Sequence, residues 1–388
     1  MHNFKISNVA EFSFKTMSYF GVWRPTFLTS LWAIRLYTLY SISIFLNKIF
    51  FVISLLIYLY QNKHKPAILA ENLYLFTTLF LLTFKLAYFN VHRQDVYNLL
   101  NLFLQKHCLP CDSEEIRIYK KFQYKERLIT RIFVGSTFFA VTMYLFWPLT
   151  NGKDVSLPFK RWLPYSINSK KIFWMSFAID SLSCYINLFT YSSMESITAI
   201  FMQQICTQID LFIKRLSQIT NIRNNISENK NIYQQECKLL RECVDHHVCI
   251  FSMEKKLNEI FGVLIFSQFF VSILNLCTSC FYLTKLQPSE REFLLSLTML
   301  CFYIFQIFIY CLFGEEMTRK SLSITNEIYQ MDWNSLSVQT KQKLIIIMMR
   351  ASRPIQLNGV VVVVLSIETF CKIIKASYST LNLLRSSN

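Results

Sequence analysis

Glu368, Lys372 and Lys375 stand at i, i+4 and i+7 in a segment that is otherwise largely apolar. On a helix this spacing puts all three on one face, with Glu ahead of Lys in the favourable order for an ion pair. Ionisable side chains inside a membrane mark ion pathways or structural pairs. Two bare lysines on a pore wall would repel cations, so pairing or snorkelling is the favoured reading. Lys48 and Lys85 read as snorkelling or helix-packing residues. Asp180 and Glu195 are too far apart in sequence to form a carboxylate dyad on their own. Twelve cysteines are scattered along the chain, and Cys108/Cys111 and Cys277/Cys280 have CxxC spacing. A structural zinc site wants two such pairs in one place, or a pair with two histidines. One pair here lies in a polar stretch and the other in an apolar run, so free thiols and no metal are expected. His246 and His247 are adjacent and would splay about 100° apart on a helix, which is no ligand pair. The phosphate-binding, nucleophile-elbow, zinc-protease and dinucleotide motifs are missing from the sequence. No enzymatic activity and no cofactor are expected.

The elements that carry these residues follow from composition. The chain has 388 residues, 53% hydrophobic and 16% charged, with 36 Phe and 20 Tyr but 6 Gly. That excludes a disordered chain, and the length and cysteine spacing exclude a disulfide scaffold. An all-α polytopic membrane protein remains. About 20 mostly apolar residues cross a bilayer, and seven stretches qualify: 36–60, 71–91, 129–149, 172–206, 260–283, 293–313 and 358–381. Pro66, Pro148, Pro158, Pro164 and Pro288 fall in or beside the connections, and Trp32, Trp147, Trp162 and Trp174 near span ends, as an interfacial belt requires.

Lys and Arg are distributed 25 against 10 between the two sides of this arrangement, which predicts a cytoplasmic N-terminus and an extracellular C-terminus. The same bias accounts for the net charge of +16 without a nucleic-acid partner. No secretory signal peptide is evident. Phe12, Phe14, Met17, Phe20 and Trp23 suggest either an interfacial helix or an ordered cytoplasmic strap. The sequon Asn225-Ile226-Ser227 falls on the inner side and is expected to stay unmodified. Leu240, Val244, Val248, Phe251, Leu257, Phe261 and Leu264 recur at helical steps and join 236–258 to the fifth span. The apolar stretch 172–212 corresponds to roughly 60 Å of helix, twice the bilayer. The late helices should therefore continue beyond the membrane, with 207–258 and 314–357 forming an anchor bundle, within one domain covering residues 1–388.

The C-terminal half resembles the insect odorant receptor family. The residues that carry the likeness are Leu239 to Phe261, Ser267-Gln268-Phe269, Ser272, Cys277, Phe313-Gly314-Glu315, Tyr329, Trp333 and Arg353-Pro354-Ile355. The terminal segment adds Thr369-Phe370, Lys375-Ala376-Ser377-Tyr378-Ser379 and Leu383-Leu384. The likeness is residue-specific over 236–388 and topological over 1–235; Asn358-Gly359 departs from the family's usual small-residue pair. The resemblance implies a cytoplasmic N-terminus, in agreement with the charge count. It also implies a heterotetrameric cation channel with an obligate odorant co-receptor, in the plasma membrane of olfactory sensory neurons, with a pore lined by the last helix. The short 207–258 connection implies a tuning subunit rather than the co-receptor.

The family's ligand, a small volatile organic molecule, would then lie in the outer half of the membrane, contacting Phe76, Thr77, Phe80, Phe139, Met143, Phe146, Tyr185, Leu188 and Leu297. Tyr185 and Thr77 would supply the orienting hydrogen bond. The implied gate is Leu383, with Ser387 one turn further out and Lys375 and Glu368 on the same helix. A gustatory-type receptor channel is the nearest alternative. A G-protein-coupled receptor would have the opposite orientation and motifs this chain lacks, and a transporter would show paired, Gly/Pro-broken halves.

Overall fold

A backbone in lipid has no hydrogen-bond partner but itself, so long apolar runs without internal proline fold as helices. The computed structural model describes residues 9–25, 27–146, 149, 157–225, 229–287, 291–359 and 363–386. Trp147, Pro148, Ile226 and Ser227 of the sequon, Pro288 and Ser387 lie outside them. In chain order the helices are α1 (Glu11–Tyr19), α2 (Leu31–Gln61), α3 (Pro66–Val91), α4 (Arg93–Phe103), α5 (Ser113–Phe146), α6 (Lys170–Asn225), α7 (Asn229–Lys285), α8 (Arg291–Tyr329), α9 (Val338–Ala351) and α10 (Ile367–Ser386). Short 3-10 turns at Lys106–Cys108 and Trp333–Ser335 precede α5 and α9. Pro66 occupies the first turn of α3, where its missing N–H costs nothing, and Ser337 caps α9 by accepting from the Thr340 amide.

Six of these helices, α2, α3, α5, α6, α7 and α8, are long and apolar enough to cross a bilayer, and the chain is a multi-pass membrane protein. The last span expected over 358–381 takes a different form. Asn358–Gly359 (β1) pairs antiparallel with Val363–Val364 (β2), and helix begins at Ile367. The β-branched run from Val360 to Val364 favours extended chain. Ser366 then starts the helix by accepting from the Thr369 amide. α5 starts at Ser113, well before the apolar stretch at 129, so it too projects beyond any membrane-spanning part.

α6 is the axis of the fold. It packs against α1, α5, α7 and α8, and its side chains from Asn187 to Ile209 are almost all buried. α1 is an ordered strap packed on α6: Met17 is fully buried, and Ser13 Oγ lies 2.7 Å from Ser196 Oγ. Trp23 extends the strap, stacking near Phe14, Phe89 and Tyr97 with the Arg93 guanidinium 4.9 Å from its ring.

Candidate functional site

A cavity of about 110 Å³ lies between α2, α3, α5, α6 and α8. Its walls are mainly apolar: Phe51, Leu75, Leu79, Leu82, Ala140, Val141, Leu188, Met299 and Phe302 among them. Phe159, from the connection before α6, closes it, with its ring 5.1 Å from Phe51 and 5.3 Å from Tyr144. That connection is pinned by Arg161, whose guanidinium bonds Asp180 Oδ1 at 2.6 Å, and by the Trp162 amide, which donates to the Ser54 carbonyl. Asp180, the acid the sequence left inside the fourth span, is therefore the anchor of the cavity's cover.

The polar groups on the wall are arranged in a traceable way. Thr78 donates to the Tyr74 carbonyl at 2.7 Å, so Tyr303 must donate to Thr78 across 3.1 Å, and Asn275 Nδ2 donates to the same oxygen. Thr137 donates to the Phe133 carbonyl, and Tyr191 accepts from Gln306. Asn187 presents its amide on the α6 side.

Of the nine side chains expected to contact a ligand, Leu188 lines this cavity. Phe76, Thr77, Met143 and Tyr185 are half-buried; Phe76 and Tyr185 pack in the cluster beside the cavity, and Thr77 donates to Asn275 Oδ1 at 2.5 Å. Phe80, Phe139, Phe146 and Leu297 are exposed on the outside of the bundle. The helices carrying the walls are the expected ones, but the facing residues stand one or two positions away. Thr78, Asn187, Tyr191 and Tyr303 were missed; the available signal was polar or tyrosine side chains at helical spacing within otherwise apolar runs.

Beside Tyr191 lies a buried ionic network. Lys85 Nζ is 2.6 Å from Glu195 Oε1 and donates to Gln268 Oε1 at 2.6 Å. Tyr310 donates to the other Glu195 oxygen, and Gln268 donates to Ser272. Four helices, α3, α6, α7 and α8, are thus tied by one pair of opposite charges. The pair is almost entirely shielded from solvent. Removing one partner from such a pair typically costs about 3–5 kcal/mol, since it strands the other charge.

A second polar cluster lies on the charge-bearing extensions of α5, α6 and α7. Arg215 grips Glu115 through two bonds, at 2.8 and 2.9 Å, and donates to the carbonyls of His107 and Leu109. Burial alone would raise the Glu115 carboxyl, but the Arg215 bonds, the Cys111 amide and the Arg215 charge together outweigh it and hold the group below its usual range. His246 Nε2 lies 2.8 Å from Gln208 Oε1. Burial first, and then the Arg215 charge, push His246 down to about 3. Cys108 meets Cys249 at 3.4 Å rather than pairing with Cys111, and no group of residues suited to a metal occurs among the described residues.

α10 packs on α7 and α8 through Ile373 and Ser377, with Phe370 against Phe308. Glu368 and Lys372 form a 2.6 Å ion pair on the exposed side, and Lys375 is exposed beside them. The start of the helix is held by the Phe313-Gly314-Glu315 stretch: a Cβ on Gly314 would lie 2.3 Å from Leu365 Cβ, and Glu315 accepts from the Ile367 amide. A Cβ on Gly359 would lie 3.2 Å from the Phe266 backbone of α7, and the Asn358 backbone amide donates to Asn258 Oδ1. Of Leu383 the helical backbone alone is described.

A family model described as 7tm Odorant receptor matches residues 65–378. Odorant receptor 85f of Drosophila melanogaster is 26% identical over 151 residues, 39% of this chain and 38% of that protein. Putative odorant receptor 92a of the same species is 23% identical over 323 residues, 79% of this chain and 76% of that protein. The stretches matched to odorant receptors 85f and 49a span 38% and 54% of those proteins. The fold matches the insect olfactory receptor OR5 from Machilis hrabei, solved in complex with eugenol, with a TM-score of 0.83 at 14% identity and 98% coverage of each chain. The family model covers most of the chain, including the network, the glycine contact and the start of the last helix, and the protein belongs to the 7tm odorant receptor family.

Proposed function

We propose that this chain is the odorant-binding subunit of a heteromeric, ligand-gated, non-selective cation channel. Its setting is the plasma membrane of olfactory sensory neurons, with the N-terminus cytoplasmic and the C-terminus extracellular. The observation that carries the reading is the apolar cavity among α2, α3, α5, α6 and α8. Its volume is near that of engineered apolar cavities of about 150 Å³, which stay dry and take up benzene. A volatile gains by leaving water for such a site, and few polar groups are needed to orient it. The eugenol complex of OR5 supports a ligand of this kind. Ligand binding does work on the channel only through a difference in affinity between closed and open states.

The pore reading rests on α10. This helix presents Glu368, Lys372 and Lys375 outward, a face that suits water better than lipid. In an assembly of four subunits with the odorant co-receptor, that face would border the conduction path, with Leu383 at a hydrophobic gate and Ser387 beyond it. The seven spans are then α2, α3, α5, α6, α7, α8 and α10. The inner ends of the late helices, together with α9, form the inter-subunit anchor.

Excised patches from cells expressing this chain with the odorant co-receptor, exposed to volatiles without GTP, test the reading. The expected result is an odorant-evoked cation current that needs both proteins. The Leu188→Trp variant, which fills the cavity, should raise the half-maximal concentration about tenfold or more at equal surface expression. A response that requires G proteins, or one unchanged without the co-receptor, overturns the proposal.

A further inference from the structure

Lys48 of α2 is buried, and its ammonium has two neutral partners on α6: Asn187 Oδ1 at 2.5 Å and Thr190 Oγ1 at 3.1 Å. It stands in a polar crevice of about 300 Å³ between the two helices, with Ser43, Asn47 and Ser183. Asn187 lines both this crevice and the apolar cavity, whereas Lys48 lines the crevice.

That arrangement fixes the direction of the amide. An ammonium donates and cannot accept, so the Asn187 oxygen must face Lys48. The amide nitrogen is then the other lobe of a side chain that lines the cavity as well as the crevice. No described protein group accepts from it, and it is not sealed from contact with a small molecule. Three of the neighbouring donors are otherwise directed. Thr78 and Thr137 give their protons to backbone carbonyls, and Tyr303 gives its own to Thr78. Asn187 thus brings a free N–H to a side chain of the wall, with its oxygen held by a charge outside the cavity.

We propose that the cavity selects volatiles carrying an oxygen acceptor, such as ketones, esters and ethers, over hydrocarbons of the same shape, with Asn187 donating to that oxygen and Lys48 as the positioning residue that turns the amide. The inference rests on the cavity being the ligand site. In a dry apolar site, a donor left unpaired by a hydrocarbon is costly, so the discrimination arises from the bound hydrocarbon's failure to satisfy it as well as from the bond to the ketone.

Acetophenone and cumene are matched in heavy-atom count and shape and differ in the carbonyl. Their binding to the purified assembly in nanodiscs is measured by ligand-observed NMR, independently of current. The wild type should bind acetophenone at least about tenfold more tightly than cumene. Asn187→Leu should abolish that ratio while retaining cumene binding. Lys48→Met, which leaves the cavity wall untouched, should reduce the ratio in the same direction, and Lys48→Arg should restore it. A ratio near one in the wild type, or a full ratio in correctly folded Asn187→Leu or Lys48→Met protein, overturns this inference and leaves the cavity reading standing. Failure of both probes to bind the wild type, or equal loss of both on filling the cavity with no change in volatile-evoked current, overturns the cavity reading and this inference together.

Discussion

His246 is an imidazole that the fold keeps neutral. Its ordinary value is 6.5 and burial takes it to about 3, so between those limits the unfolded chain binds a proton that the folded chain refuses. Stability from this group is complete above pH 6.5 and is lost as pH falls through that window, by up to about 1.4 kcal/mol per pH unit. His247 is displaced in the same direction, to about 4, by burial and the Arg350 charge. Chemical unfolding of the detergent-purified protein at about pH 7.5 and about pH 5.5 should show a loss that shrinks by about 1 kcal/mol in His246→Gln. An unchanged loss would mean the folded imidazole takes up its proton as readily as the unfolded one. At this scale the sequence was informative about kind and weak about direction. Asp180, Glu195, Lys48 and Lys85 stood out as polar residues in apolar runs, and each proves to be buried and partnered. Which aromatic faces the cavity was not legible, because one residue turns a helix by about 100° and exchanges a cavity wall for the outer surface. Phe139 and Ala140 are the example: the phenyl is exposed and the methyl lines the cavity.

At the scale of elements, the long helices were readable because their apolar spacing continues without a break. The joining of 236–258 to the fifth span is visible as unbroken α7. The hairpin before α10 was hidden because five consecutive valines in an apolar stretch look alike in a helix and in a strand by hydropathy. Gly314 is the contact that seats this hairpin. A methyl there would collide with both the side chain and the carbonyl of Leu365, and backbone cannot move aside cheaply. Gly314→Ala should therefore destabilise the junction of α8 and α10 by about 1–3 kcal/mol. The expected signature is a lower melting temperature and altered resting current at reduced surface expression. Wild-type melting and current would show that α10 is free to shift at its start.

At the scale of the whole molecule, a single chain leaves apolar surface on a part that is not apolar enough to sit in lipid. Val338, Ile345, Ile346 and Met349 of α9 are all exposed. Exposed patches of this kind mark interfaces, and in the proposed assembly they would face neighbouring subunits. Ile346→Lys together with Met349→Lys should lower co-purification with the odorant co-receptor severalfold while leaving the monomer's helical content intact; full recovery of the complex would place the anchor contact elsewhere. Multi-pass character was legible at this level because apolar length is a property of whole segments. The assembly itself was not, since a sequence specifies a sticky face without naming what covers it.

α6 has one further consequence. It contains neither proline nor glycine over its 56 residues, so it has no hinge and behaves as a shaft about 80 Å long. The end that borders the cavity at Asn187 and the end that carries Arg215 cannot move independently. Asn187 and Arg215 stand about 42 Å apart along the axis, so a tilt of about 3° about the first displaces the second by about 2 Å. In the proposed channel, a small shift at an occupied cavity would reach Arg215 enlarged by leverage, with no change of conformation along the helix between them.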